Sequence, residues 1–317
     1  MVAVGRLAQS MVLLLLVSVA VFVLVRLTPG DPAVVLYGPD ASPQDVMQVR
    51  ERWGLDAPLH LQYLRWLANA AGGDLGRSYA DGRPVLWVIA ERIPATLLLT
   101  GSALLLALLV GIPGGVLAAT RRSSWLDRLT TVLATALYST PPFWLGILLI
   151  LLVSIRLGWL PSGSMRTAGG GSELADLARH LILPALALAM RDMGRFARVT
   201  RASVLDVWGQ DYVRTAAAKG LHRATIVGRH TLRNALLPVL TLVGMSIPGL
   251  LSGAVVVEMV FAWPGLGRLA MESALQRNYP VIMGEVLVVA VLAVLGSLLA
   301  DVAYTMVDPR IRRGTRG

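Results

Sequence analysis

Glu258, Glu285 and Asp301 interrupt runs that are otherwise long and apolar. A charged side chain in such a run is a functional candidate, because charge is costly in hydrocarbon and persists where it meets a substrate, a proton path or a partner. Glu258, in GAVVVEMVFAWPGLG, and Glu285 lie near the ends of their runs. Together with Ser246 they are candidates to face a vestibule on a solute pathway. The alternative is that carboxylates at run ends simply reach interfacial water. Asp301, at the opposite end of the last run, suits a bond to a neighbouring helix or to a basic face.

Other chemistries find little footing. The four histidines, His60, His180, His222 and His230, fall in loops or at boundaries. None sits in the middle of an apolar run beside a serine it could activate, which disfavours an intramembrane hydrolase. His222 and His230 are eight apart, too far for an i, i+4 metal pair, and read as solvated surface residues. Cysteine is absent, which excludes disulfides, thiol catalysis and thiolate-bound metals. No phosphate-cradling GxxxxGK[ST] loop occurs, and PGLGRLA adjoins an apolar run rather than a strand–turn–helix unit. The expectation is no catalytic residue, no bound metal and no cofactor: a transport or assembly subunit, not an enzyme.

The elements that must position these residues follow from composition. Of 317 residues 55% are apolar and 15% charged, with a mean hydropathy of +0.65. Soluble domains carry about 25% charged residues, so the class is membrane-embedded. A crossing helix needs about 20 mostly apolar residues. Uncharged runs at 7–25, 93–120, 129–155 and 234–257 meet that need, and 281–307 does so with two acidic interruptions. The weakest candidate is LARHLILPALALAMRDMGRFARV, whose uncharged core, Leu181 to Met190, is only ten residues long. Six spans with a cytoplasmic N-terminus place 17 of the 29 Lys/Arg inside. Outside, seven lie in one long loop, which translocates largely regardless of charge, and five in short loops. Removing the weak span would divide the basic segments between sides. The net charge of +10 is then an inner-face property, and nucleic acid is not expected as a partner. LVRLTPGDPA after the first run lacks a clear small-x-small cleavage site, which favours a retained span over a signal peptide.

Residues 31–92 carry helix punctuation. In ASPQDVMQVRERWG, Ser42 can cap, Pro43 suits the first helical position, Asp45 completes a capping-box-like pair and Gly54 can stop the helix. A second helix follows Pro58 through LHLQYLRWLANAAGG. The loop reads as a cap over the span ends or as a contact surface for an extracytoplasmic partner. GIPGG (111–115), STPPFWLG (139–146) and SIPGLLSG (246–253) put Pro and Gly inside spans, suggesting helices that bend around a pathway.

The segment DYVRTAAAKGLHRATIVGRHTLRNALLP (211–238) has a helical pattern stopping at Gly220, then a second helix from about His222 to Leu236. Its outer surface is basic: Arg214, Lys219, Arg223, Arg229 and Arg233. This elbow resembles the cytoplasmic loop by which ABC importer permeases dock into their ATPase subunits. The general pattern is Glu-Ala-Ala, three residues, then Gly; here Arg214, Thr215 and Ala216 stand at the first three positions. That departure is similar to the dipeptide/oligopeptide/nickel branch, where YVRTAxAKGL and LRNALLP are typical. RLTPGDPA (26–33), GDLGRSY (73–79), RIPATLLL (92–99), HLILPAL (180–186), RVTRASVLDV (198–207), VVVEMVFAWPGLGR (256–268), NYPVI (278–282) and DPRIRR (308–313) extend the resemblance along nearly the whole chain. MRDMGR (190–195) departs from it, placing charges where an apolar end of span four is expected.

The resemblance implies an all-α polytopic protein with six transmembrane helices and the type I ABC importer permease fold. It divides the chain into a first span (1–30), an extracytoplasmic loop (31–92), a core permease domain (93–307) and a basic cytoplasmic tail (308–317). It implies a coupling loop over 199–237 whose contacts are Arg214, Thr215, Ala216, Ala217, Lys219, Gly220, Leu221, His222, Arg223 and Arg229. It also implies a bacterial inner-membrane assembly: a homologous second permease, two ATPase subunits that bind ATP and Mg, an extracytoplasmic binding protein, and surrounding lipid. Cargo would be di- or oligopeptides or glutathione-like peptides, with chelated nickel as the alternative. A secondary transporter is the competing class, but it should carry mid-membrane ionisable relays, and these are nearly absent.

Overall fold

The computed structural model describes residues 2–27, 34, 42–167, 169 and 174–307, and only the backbone of 2–7, 52, 223 and 299–307. The basic tail at 308–317 and the Asp301 side chain therefore lie outside the described residues. The described residues are helical apart from turns and one isolated bridge between Arg77 and Pro84. In chain order the helices are α1 (Val2–Leu27), α2 (Pro43–Arg52), α3 (Leu59–Ala71), α4 (Val85–Thr120), α5 (Trp125–Ser139) and α6 (Pro142–Leu149), which continues as a π-helix (Ile150–Arg156). Then follow α7 (Leu174–Trp208), α8 (Asp211–Ala218), a composite α9, α10 (Leu237–Val260), α11 (Leu266–Leu275) and α12 (Tyr279–Val307). α9 joins Arg223–Thr225, a π-helical Ile226–Thr231 and Leu232–Ala235.

Among the described residues four helices are long and apolar enough to cross a membrane: α1 over Ala8–Leu27, α4, α10, and α12 over Tyr279–Leu298. α5 and α6 with its π-helical extension make a fifth apolar segment, bent by 104°. The bend follows from Thr140-Pro141-Pro142: a residue before proline is pushed out of the α region, and Thr140 and Pro141 are both extended. Pro142 then restarts the helix at a position where its missing N–H costs nothing. The sixth expected span is α7, one unbroken helix of 35 residues, roughly 52 Å at 1.5 Å per residue. It runs straight through MRDMGR, so those charges sit within a helix and do not end it.

The chain divides into two compact units, 1–96 with 264–294 and 97–263 with 295–317. In the first, Ser42 Oγ accepts from Asp45 N–H (3.2 Å) and donates to the Asp45 carboxylate (2.7 Å), and Gly54 leaves α2 at φ +64°. α4 starts at Val85, eight residues before its uncharged run, because Val85 and Ile89 pack with Leu75, Leu266, Leu269 and Val281. Glu91 stays exposed beside Arg83, and Arg92 reaches Glu272. Buried Asn278 accepts from Tyr79 N–H and donates to Ser78 Oγ, both at 2.9 Å, tying the turn before α4 to the start of α12. Asn278→Ala orphans the Tyr79 N–H, while Ser78 Oγ still accepts from Asp81 N–H, and is expected to cost about 2 kcal/mol, read as a lowered melting temperature of the detergent-purified chain.

In the second unit α7 lies among α4, α5, α6 and α10. GIPGG does not break α4; it lets two backbones approach. A Cβ on Gly111 would lie 2.8 Å from Met193 O, and one on Gly115 would lie 2.5 Å from Ala197 O. Gly194 of α7 likewise abuts the Ala134 carbonyl of α5. Such contacts are how membrane helices associate when lipid is as apolar as their side chains. SIPGLLSG also remains helical inside α10. Of the three expected bends, STPPFWLG alone is one.

Candidate functional site: a basic elbow

The elbow begins where α7 ends at Trp208. Gln210, extended, accepts from the N–H groups of Val213 and Arg214 and starts α8. At the far end Gly220 N–H bonds Ala217 O (3.0 Å) and Leu221 N–H bonds Ala216 O (3.4 Å), with Gly220 at φ +75°. This is the Schellman pattern, which requires the left-handed conformation that glycine adopts without penalty. His222 opens the second arm: its carbonyl accepts from Thr225 and Ile226, and its Nδ1 from Ala224 N–H. The two arms therefore reverse direction over Lys219–His222.

Two small cores make the elbow stiff. Val213, Ala216 and Ile226 pack with Val207, closing α8 on α9. Beneath them Ala119, Val204 and Ala235 pack with Val116, Leu205, Trp208 and Leu232, fixing the elbow to α4 and α7. Tyr212 adds a polar tie, donating to His230 O and accepting from Asn234 Nδ2 (2.8 Å). Motion applied to the elbow must pass into α7, since Val204, Val207 and Trp208 belong to both.

The expected contact residues divide on this frame. Arg214, Thr215, Ala217, Lys219, Gly220, Leu221, His222 and Arg229 are exposed. The Arg214–Asp211 pair, 3.6 Å long with side chains 73% and 97% exposed, binds too weakly to occupy Arg214. Ala216 is 6% exposed and belongs to the elbow's own core, so it is withdrawn from the contact surface. The Arg223 side chain lies outside the described residues. Trp208, Arg121 and Arg122 were not singled out in the sequence, yet they line an open groove of about 810 Å³ with Arg214 and Ala217. Their signal was the basic pair that follows the α4 run.

The vestibule candidates fare differently. Glu258 is 0% exposed and Glu285 2%, so both side chains are enclosed within this chain. Each is packed among helices, which span-end position alone did not reveal. Ser246 is also 2% exposed, its hydroxyl donating to Leu242 O, but it lines a narrow groove beside α7. Asp127 clamps Arg201 with two bonds of 2.6 and 3.0 Å, joining the start of α5 to α7. His180 is buried, bonded to Gly163 O (2.8 Å), and Thr167 donates twice to Asp176, holding that carboxyl below its usual range. In the first unit, Phe22, Trp53, Tyr79 and Tyr279 wall a cavity of about 430 Å³, and burial pushes the Tyr79 hydroxyl up to about 12.

Two family descriptions match the chain. Residues 111–313 match the binding-protein-dependent transport system inner membrane component, and residues 2–100 its N-terminal membrane component. The oligopeptide transport system permease protein AppB of Bacillus subtilis is 45% identical over 307 residues, covering 96% of this chain and 97% of that protein. The glutathione transport system permease protein GsiC of Escherichia coli is 44% identical over 299 residues, covering 94% of each. Among solved structures, an inward-facing MetNI methionine ABC transporter superposes with a TM-score of 0.59 at 18% identity, over 70% of this chain and 97% of that one. At that identity the likeness is one of fold.

Proposed function

The chain belongs to the binding-protein-dependent transport system inner membrane components, and from that premise we propose that it is the permease subunit of an ATP-driven peptide importer. The fold is that of a type I ABC importer permease. The names of its relatives supply the cargo class, oligopeptide and glutathione, the latter itself a short peptide. An extracytoplasmic binding protein delivers the peptide, ATP and Mg act in two partner ATPase subunits, and a homologous second permease completes the pathway. Both termini and the elbow face the cytoplasm, in keeping with the bias of Lys/Arg toward one side.

The observation that carries this reading is the elbow. An exposed basic surface stands on two small cores that join it to α4 and α7. ATP-driven closure of the ATPase pair displaces Arg214, Thr215, Ala217, Lys219, Leu221, His222, Arg223 and Arg229 together. α7 carries that displacement into the helices packed against it, and the permease switches from inward- to outward-facing. Affinity purification of the tagged chain from its native membrane in mild detergent tests the assembly. Two ATPase polypeptides and a second permease are expected to co-elute. Recovery of the folded chain without any ATPase would overturn the proposal.

A further inference from the structure

Arg191, Arg195 and Arg198 are spaced i, i+4 and i+7 on α7 and so share one face of it. Tyr138 of α5 stands against that face. The guanidinium carbons of Arg191 and Arg198 lie 5.6 and 5.3 Å from its ring centroid. Tyr138 and Arg195 line two adjoining grooves. One, of about 480 Å³, also takes in Thr130, Thr131, Ala134 and Arg198; the other, of about 130 Å³, takes in Arg191, Asp192 and Ser246.

Among the described residues the charge on this face is not balanced. Arg201, one position further along the face, is held by Asp127. Among the described residues no ion pair within 4 Å engages Arg191, Arg195 or Arg198. Asp192 faces Arg191 and Arg195, with the Ser246 hydroxyl in reach, which leaves three cations against one carboxylate.

Depth makes the imbalance informative. If α7 enters a hydrocarbon core about 30 Å thick at His180, then at about 1.5 Å per residue the three arginines stand roughly 16, 22 and 27 Å along it. An arginine at the centre of a span costs about 2.5–3.5 kcal/mol unless it faces water or a partner. On that placement Arg198 is close enough to an interface to reach headgroups, but Arg191 is near the middle.

We infer that Arg191, Arg195 and Arg198, with Tyr138, form an anion subsite on the solute pathway that engages the carboxylate of a passing peptide. The inference rests on the importer reading. A guanidinium fork matches a carboxylate through two parallel hydrogen bonds, and every unmodified peptide carries one at its C-terminus. The Tyr138 ring holds two of the guanidinium groups in place and offers an apolar wall beside them.

Because the chain lacks cysteine, a single thiol reports on the groove. Thr131→Cys, exposed on the larger groove, would be introduced into the assembled importer with its other subunits free of reactive thiols. The rates of an anionic sulfonatoethyl and a cationic trimethylammonium-ethyl methanethiosulfonate would then be compared in zwitterionic vesicles. The anionic reagent is expected to react about tenfold faster, since a charged cleft concentrates its counter-ion by that order or more. Arg195→Gln with Arg198→Gln should bring the ratio to about one, whereas Arg195→Lys should retain it. Dialanine should slow the reaction, and its C-terminal amide should not. A thiol unreactive to both reagents, equal rates, or protection by anionic lipid and not by dialanine would overturn the inference. If selectivity and protection hold but the assembly imports no peptide with ATP and binding protein, the subsite stands and the importer reading falls.

Discussion

Gly220→Trp is expected to lower ATP-driven peptide uptake by about tenfold or more, as loss of a coupling energy of 1–3 kcal/mol implies, while the chain still inserts and ATP is still hydrolysed. The reason is local. Gly220 sits at φ +75°, where an L-residue incurs about 1–2 kcal/mol of backbone strain. A Cβ there meets no heavy atom of the described residues within 4 Å. The indole would therefore not disturb the elbow's cores; it would project outward from the turn between the two arms, into the surface proposed to meet the ATPase. Gly220→Asn separates strain from contact, because asparagine tolerates the left-handed conformation and is small. It should transport at near the parental rate. Proteoliposomes with ATP inside, scored for hydrolysis and uptake together, distinguish these outcomes. Normal uptake by Gly220→Trp would show that the elbow is not the coupling contact.

Gly115→Leu is expected to be strongly destabilising, at about 3 kcal/mol or more. The first atom beyond Cα would lie 2.5 Å from Ala197 O, 2.7 Å from Thr200 Cβ and 3.0 Å from Arg201 N. Two of these are backbone atoms of α7, so no rotamer change relieves the clash and the helices must separate. Separation also pulls on the Asp127–Arg201 clamp one turn further along α7. Gly114→Leu is the control, since among the described residues a Cβ there finds only the Thr130 methyl, at 3.8 Å. Thermal unfolding in detergent should show Gly115→Leu melting well below Gly114→Leu. Equal melting would mean that α4 and α7 are not in close contact.

Much of the fold was legible because its signals are local. Ser42, Pro43 and Gly54 punctuate α2 as their chemistry dictates, and Gly220 breaks the elbow where a left-handed residue is needed. Other features depend on which neighbour an element meets, and composition does not carry that. Gly and Pro in GIPGG look the same whether they bend a helix or admit a neighbour; the contact of Gly111 and Gly115 with α7 decides it. The start of α4 lies before Glu91 and Arg92 because those charges fall on an exposed face while Val85 and Ile89 are buried. Glu258 and Glu285 look like span-end carboxylates near water, and only three-dimensional packing reveals that they are enclosed. MRDMGR read as a faulty span end because hydropathy averages over faces. On the helix its arginines gather on one face, beside a tyrosine 53 residues earlier in the chain.

The proposed role is passage of peptides across the membrane under ATP control, coupled through the elbow. The most direct measurement is uptake of a labelled dipeptide by proteoliposomes containing the complete assembly, with and without the binding protein outside and ATP inside. Accumulation that needs both is predicted. Accumulation that proceeds without ATP and follows an imposed ion gradient would contradict it.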